Sequence, residues 1–267
     1  MDNNLEIFCV TNERLKLLEN TKYKLAGVGK KDFPENYYLA NTGDNIFSKE
    51  EFYSELTFHY WYWKNLLDIN KDEWVGFCQK RRFWKKINSL NNGEINQNNF
   101  FANLLIEPEK DWNNYDAIIC KPIDISGSKR IKIIKRGWRN FLKNPKVLFD
   151  KKEHSIEFHF DLHHGYGNLY KAANLLEEKD RLPFIDFIRN NNCFNPHIMF
   201  ISKPIIIDKY FSYLFKWLER CEKIFPKETL KGYDKKRMFA YLSERYLSYW
   251  FQNYTKFKEQ PWFFFEI

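Results

Sequence analysis

Aromatic rings constrain this chain more than any other feature. Phe, Tyr and Trp fill 19% of its 267 positions, as 26, 16 and 9 residues respectively. Each ring removes a large apolar area from water when it is buried. A chain of this length hides roughly 70–75% of its unfolded surface, enough for one or two domains with a full core. That interior is still too small for every ring, so some must lie at the surface or line a cleft. Otherwise the composition is globular, since 44% hydrophobic and 29% charged residues exclude wholesale disorder.

Lys and Arg number 43 against 35 Asp and Glu, a net charge of +8 that favours an anionic partner. No run reaches about 18 consecutive apolar residues, so the sequence holds no membrane-spanning helix. The opening Met1-Asp2-Asn3-Asn4-Leu5-Glu6 lacks the basic start and apolar run of a secretory signal. Cys9, Cys78, Cys120, Cys193 and Cys221 are scattered, with no Cys-x-x-Cys pair. They suit free thiols in a reducing cytoplasm and argue against a disulfide framework or a structural zinc site.

Short apolar runs alternate with helical patterns, which predicts an α/β fold. Strands are expected at 5–10, 23–28, 74–78, 115–120 and 197–201. Ser48 followed by Glu51 reads as a capping box that opens a helix, with Phe52, Leu56, Tyr60, Trp63 and Leu67 on its buried face. Two more long helices are expected at 207–224 and 235–257, and the tail 261–267 should dock in extended form. Asn-rich stretches at 91–99 and 190–192 read as loops. The simplest organisation is one domain over 1–267, strand-rich in front and helical behind.

Four segments could carry chemistry. In Asn41-Thr42-Gly43-Asp44-Asn45 the glycine permits close backbone approach, and Asp and Asn can bond a sugar hydroxyl or a base edge. An ordinary turn into a helix cap fits the same residues. Gly76-Phe77-Cys78-Gln79-Lys80-Arg81-Arg82-Phe83 runs a strand into three cations. In open α/β sheets ligands bind at that end, and Arg grips phosphate with two parallel bonds. A basic edge that blunts sheet pairing is the alternative. Phe158-His159-Phe160-Asp161-Leu162-His163-His164 would align His159, Asp161 and His163 for a metal if it were a strand, and splay them if it led into a helix. Arg237, Tyr241 and Glu244 fall at i, i+4 and i+7, on one helical face. A carboxylate in such apolar company needs a partner or a task, and an Arg–Glu pair bracing the helix would satisfy it. The sequence holds no nucleophile elbow, Gly-x-Gly-x-x-Gly, Walker loop or Asp-x-Asp, and Asp124-Ile125-Ser126 lacks the second carboxylate.

In this order the segments resemble a family of bacterial capsular and lipopolysaccharide glycosyltransferases catalogued as a domain of unknown function (type 4422), some of them galactofuranosyltransferases. Gly43-Asp44-Asn45-Ile46-Phe47-Ser48-Lys49-Glu50 is similar to the family's Gly-Asp-Asn-Ile-Ser-x-Lys-Asn stretch. Glu55-Leu56-Thr57-Phe58-His59-Tyr60-Trp61-Tyr62-Trp63-Lys64-Asn65 resembles its Glu-Leu-Thr-x-x-Tyr-Trp-x-Trp-Lys-Asn helix. Gly76, Arg81, Arg82 and Phe83 match a Gly-x-x-His-Tyr-Arg-Arg-Tyr-Phe strand end, with Gln79 and Lys80 departing from it. Tyr115-Asp116-Ala117-Ile118-Ile119, Phe160 to His164, Asn195 with Met199-Phe200-Ile201, and the ending Ser243-Glu244-Arg245 resemble later family motifs.

The resemblance implies a GT-A type glycosyltransferase fold, a mixed central sheet with flanking helices and a helical C-terminal half. A nucleotide-sugar part would span about 1–125 and an acceptor part about 126–267. It implies transfer from a nucleotide diphosphate sugar, such as UDP-galactofuranose or another UDP-sugar, to an oligosaccharide or lipid-linked surface-polysaccharide acceptor. Thr11, Gly43, Asp44, Asn45, Gln79, Arg81 and Arg82 would hold the donor. His164, Asn195 and Arg245 would hold the acceptor or its sugars. Glu244 would be the general base, with Asp161 the second candidate. Without Asp-x-Asp, Arg81 and Arg82 would neutralise the leaving diphosphate and no metal would be required, Mn²⁺ or Mg²⁺ being the alternative. The setting would be cytoplasmic, peripheral to the inner face of the membrane. Two rival readings are an inactive relative and a nucleic-acid-binding module. Cations spread along the whole chain, and the lack of a known nucleic-acid motif, argue against the module.

Overall fold

The computed structural model describes residues 4–87, 94–127 and 134–266. The chain forms two compact units. One comprises Met1–Lys121, His197–Tyr213 and Trp250–Ile267, and the other Pro122–Pro196 and Leu214–Tyr249.

The first unit is built on a nine-stranded mixed sheet. β1 (Leu5–Thr11), β2 (Lys24–Gly27), β3 (Tyr38–Leu39), β4 (Trp74–Gln79), β5 (Arg82–Trp84) and β6 (Ala117–Cys120) come from its first stretch of chain. β7 (Ile123–Asp124) and β8 (Cys193–Phe194) form a separate ladder in the second unit. β9 (Phe200–Ser202), β10 (Phe257–Gln260) and β11 (Trp262–Phe264) return to the large sheet. Its order is β10-β6-β9-β4-β1-β2-β3, with β5 pairing to β4 and to β11. β1 runs parallel to β2 and β4, and β2 runs parallel to β3. β9 is antiparallel to both neighbours, β4 and β6. A parallel strand covered on both faces must be apolar at successive positions, which is why β1, β4 and β6 are legible as continuous runs.

Aromatic packing fills both faces of this sheet. On one face the helix Leu56–Asn65 sets Phe58 and Tyr62 against Phe8, with ring centroids 5.5 and 5.0 Å apart. On the other face Ile7, Cys9, Trp74, Trp84 and Ile201 belong to one buried cluster, with Trp74 edge-on to Trp112 at 5.3 Å. The predicted helix face is rotated. Phe58, His59 and Tyr62 are buried where Tyr60 and Trp63 were expected to be, because rings surround the whole helix and contact with Phe8 and Phe77 selects the inner side.

The helix also fails to start at Ser48. Ser48 lies in a 3-10 turn, Phe47–Lys49, followed by Glu50–Tyr53, and neither is capped by the side chain of its own N-cap residue, Ile46 or Lys49. At Ser54 the backbone turns to φ 52° and separates that short helix from Leu56–Asn65. The expected strand 197–201 begins only at Phe200, since His197 and Ile198 take φ 68° and 52°. The helix expected at 235–257 is Tyr233–Lys236 and Met238–Tyr254, interrupted at Arg237, and Phe257 belongs to β10. The tail does dock in extended form, as β11 on β5, where Phe263 meets Phe83 and Phe100. Helix Glu178–Asn190 runs into the second Asn-rich stretch. In the first, residues 91–93 lie outside the described residues, as do 1–3 at the chain start.

In the second unit, Phe184, Trp217, Tyr246 and Tyr249 pack together, and the Trp217 Nε1–H donates to the Ala172 carbonyl at 2.8 Å. Four cysteines are buried, Cys193 is half-buried, and all five are free thiols.

Gly76 is in register with Ile7 on β1 and Ile201 on β9. A Cβ there would come within 2.7 Å of Ile201 Cγ1. Gly76→Ala is therefore expected to destabilise the first unit by about 1–3 kcal/mol, measured as a lower urea midpoint in Trp fluorescence.

Candidate functional site

The order β4-β1-β2-β3 means that the chain moves outward from β1 and then crosses back to place β4 on its other side. A crevice opens at the carboxyl ends of strands at such a reversal. Here those ends deliver Thr11 to Glu13 from β1 and Gln79 to Arg82 from β4. Because β9 is antiparallel, it brings its entrance, His197, to the same edge.

The Thr11 hydroxyl is buried and shapes the turn, donating to the Glu13 carbonyl at 2.6 Å and accepting from its N–H. Gln79 Nε2 donates to the His197 carbonyl at 2.7 Å and to Glu55 at 3.3 Å. The three cations lie at this end of β4, each with its own partner. β4 and β5 form a hairpin through Lys80 and Arg81, and Arg81 takes φ 70°. Lys80 Nζ pairs with Glu13 at 2.7 Å and Arg81 with Glu266 at 3.2 Å. Arg82 Nε meets His197 Nε2 at 3.2 Å, its guanidinium 5.6 Å from the Phe264 ring centre. Lys80 holds the Glu13 carboxyl below its ordinary value by hydrogen bond and charge. The edge thus carries two ion pairs and an Arg–His contact. Arg81, His197 and Ile198, three of four non-glycine residues with positive φ among those described, are gathered there, and such strain concentrates at ligand-holding sites.

Residues 41–45 follow β3, on the same edge of the sheet. Asn65 fastens this turn by accepting the Asp44 N–H at 3.0 Å and donating to the carbonyls of Asp44 and Trp61, each at 2.8 Å. Gly43 takes φ 57°, and a Cβ there would run into the Asn65 side chain. Tyr60 OH donates to Asp44 Oδ1 at 3.2 Å, and Asn45 caps the turn at the Phe47 N–H. Two motifs twenty residues apart are therefore one hydrogen-bonded piece. The helix behind the turn is the short Glu50–Tyr53.

In the second unit 158–164 is helical, inside Ile156–His164, whose first turn is capped by Ser155 Oγ accepting the Phe158 N–H at 3.2 Å. His159 and His163 stack at i and i+4, 4.5 Å apart, while Asp161 projects elsewhere, so the strand-borne metal triplet does not form. Among the described residues no group of three or more His, Cys, Asp and Glu could hold a metal ion. His164 is buried, its ring 3.8 Å from Tyr241 and Nδ1 2.8 Å from the Asp234 carbonyl. Asn195 is buried and its N–H donates to Ser248 Oγ at 2.7 Å. Arg245 is buried, 4.2 Å over the Phe194 ring, and Glu244 receives its Nη1–H at 2.5 Å. Glu244 thereby neutralises a guanidinium withdrawn from water. Arg237 lies just before that helix, and its Nη1 donates to Tyr233 OH at 2.7 Å.

Asp161 differs from Glu244. Burial pushes its carboxyl up to about 6, against the opposing bond from the Gly167 N–H at 2.8 Å. Two hollows of about 400 and 600 Å³ meet at this residue. The smaller is lined by Arg136, His163 and Tyr233, the larger by Lys143, Tyr166 and Arg189.

His197 and Glu13 belong to none of the four segments read from the sequence, and Glu55 enters there only as the start of the helix motif. The direction of β9 is what brings His197 to the edge, and no local pattern reveals it.

Residues 6–256 match a family described as a domain of unknown function, DUF4422. The chain belongs to this family. Its fold is similar to that of WbbM, a bifunctional glycosyltransferase solved in its apo state, with a TM-score of 0.71 and 20% identity. The match covers 99% of this DUF4422 chain and 46% of WbbM, so the chain spans just under half of that protein's length. The likeness establishes the mixed α/β fold with flanking helices. No curated protein matches the sequence.

Because folding raises the Asp161 carboxyl from 3.8 to about 6, the native state binds a proton more tightly than the unfolded chain. Its contribution to stability is full below pH about 4 and is lost as pH rises through about 6, a span on the order of 3 kcal/mol. Asp161→Asn is expected to flatten that part of the melting-temperature profile between pH 4 and 7, measured beside the parent protein.

Proposed function

We propose that this DUF4422 protein transfers a sugar from a nucleotide diphosphate sugar to a glycan acceptor. The observation that carries the proposal is the topological reversal at β1 and β4, whose carboxyl edge holds Lys80, Arg81, Arg82 and His197. The fold shared with a glycosyltransferase supports it. Since the chain matches less than half of a protein described as bifunctional, we assign it one transfer activity.

In the proposed reaction the acceptor hydroxyl oxygen attacks the anomeric carbon. The bond from that carbon to the β-phosphate oxygen breaks, and the diphosphate leaves with the electron pair. The hydroxyl proton passes to a carboxylate, and the configuration inverts. Bound diphosphate would replace the carboxylates of Glu13 and Glu266 as counter-ion of Lys80 and Arg81. The released carboxylates are exposed to water, and Glu13 keeps Lys31 Nζ at 3.5 Å as a partner. Gln79 with Lys80, where the family has His and Tyr, would bear on which donor sugar is taken. A UDP-sugar, with galactofuranose the first candidate, is the donor inferred from the resemblance. The acceptor would be lipid-linked and the protein peripheral to the inner face of the membrane. Among the described residues no helix is long and apolar enough to cross one.

For the base we choose Asp161 over Glu244. A general base works best with a pKa near the operating pH, and the raised Asp161 carboxyl meets that condition. Glu244 instead holds Arg245 and is better suited to positioning.

UDP is expected to raise the melting temperature, and Arg82→Ala to abolish the shift; a full shift in that variant overturns the donor site. Asp161→Asn is expected to lower kcat by about 10²–10⁴-fold while UDP still binds, and the parent's kcat should rise with pH through about 6. Near-normal turnover in Asp161→Asn with loss in Glu244→Gln would reverse the assignment. With fixed cations facing the diphosphate, turnover should survive EDTA. Loss on EDTA with recovery on Mn²⁺ overturns metal independence.

A further inference from the structure

We propose that residues 134–152 of the second unit form a docking face for a bilayer surface carrying anionic lipid headgroups. Large apolar side chains are ordinarily withdrawn from water, yet four stand out from this one segment. Ile134, Trp138, Leu142 and Phe149 are 57%, 52%, 68% and 76% exposed. Trp138 and Leu142 are i and i+4 on the helix Trp138–Lys143 and so share a face. The opposite side is anchored, since Phe141 and Leu148 pack against the buried cluster of Val147, Phe158 and Leu162. Internal packing therefore leaves the Trp138 and Leu142 side chains turned outward.

Charge identifies what this face fits. Residues 134–153 hold seven Lys and Arg against two acids, in a chain whose whole net charge is +8. Both acids are engaged locally: Asp150 accepts the Lys152 N–H at 2.9 Å and Glu153 accepts from Asn144 Nδ2 at 2.7 Å. Lys135, Arg139, Lys146 and Lys151 are exposed among the apolar tips. A membrane interface satisfies both sets together. Indole and aliphatic tips enter the acyl boundary, while long cationic stems reach the headgroup phosphates. A folded protein partner would need apolar pockets and acidic groups matched to each position, whereas a fluid anionic leaflet adapts to the pattern.

The same segment walls the hollows that meet at Asp161, through Arg136 in one and Asn140, Lys143 and Lys152 in the other. Docking would thus hold those hollows beside the surface where a lipid-linked acceptor lies. That purpose rests on the transferase reading, but the docking itself does not and is measured without substrate.

The test is co-sedimentation of the full chain with phosphatidylcholine vesicles, and with the same vesicles containing phosphatidylglycerol. Binding is expected to be at least about tenfold stronger with the anionic lipid and to weaken with salt. The variant Trp138→Ser with Leu142→Ser and Phe149→Ser, and separately Lys146→Glu with Lys151→Glu, should each lose it. Their melting temperatures and UDP shifts should match the parent, since every changed side chain is exposed. Equal binding to both vesicle types, or undiminished binding by either variant, overturns the proposal. So does a self-associated state that the Ser variant abolishes, or tighter binding of a single-stranded oligonucleotide to the same residues. A missing UDP shift with intact vesicle binding would count against the transferase reading alone.

Discussion

The insertion of β9 between β4 and β6 is the contact on which the rest of the first unit depends. Phe200, Ile201 and Ser202 bond to Phe77, Gly76 and Val75 on one side and to Ile119, Ile118 and Ala117 on the other. Without them the parallel group β4-β1-β2-β3 and the pair β6-β10 would be separate ribbons with open edges. The close fit at Gly76 shows how little room that union leaves. Reversing strand direction at this point also carries His197 to the carboxyl edge of β4, where Gln79 and Arg82 meet it. One strand therefore closes the sheet and completes the edge where the ligand is proposed to sit.

The aromatic excess has two destinations. Phe8, Phe58, Tyr62, Phe77, Phe200 and Phe211 form a continuous layer of ring contacts on one face of the sheet, and His59 is enclosed within it. Burial there pushes the His59 imidazole down to about 3, so it stays neutral and serves as one more ring. Trp138, Phe149, Tyr233 and Phe264 take the other course and stand in solvent. Both outcomes follow from the same volume limit.

How much could be read in advance depends on whether a residue's surroundings are local. β1 and β4 are plain because a doubly covered parallel strand is apolar throughout. Residues 158–164 left strand and helix both open because Phe158, Phe160 and Leu162 alternate as in a strand. In the structure that helix is buried around most of its circumference, so apolar spacing carries no information about its period. The turn at 43–45 and the Trp61-Tyr62-Trp63-Lys64-Asn65 motif were each visible, but not the Asn65 bonds that join them. The cations at 80–82 were visible as charges, whereas their partners Glu13, Glu266 and His197 come from distant chain and could not be.

The route of the chain has a consequence for its synthesis. After β6 it leaves to build 75 residues of the second unit, from 122 to 196, before β9 returns, and β10 and β11 follow only after residue 256. On a ribosome adding roughly 5–20 residues per second, the early strands must wait with their apolar edges uncovered while that excursion is made. Chaperone occupancy should therefore be highest during translation of the excursion, and should fall once the closing strands have cleared the exit tunnel.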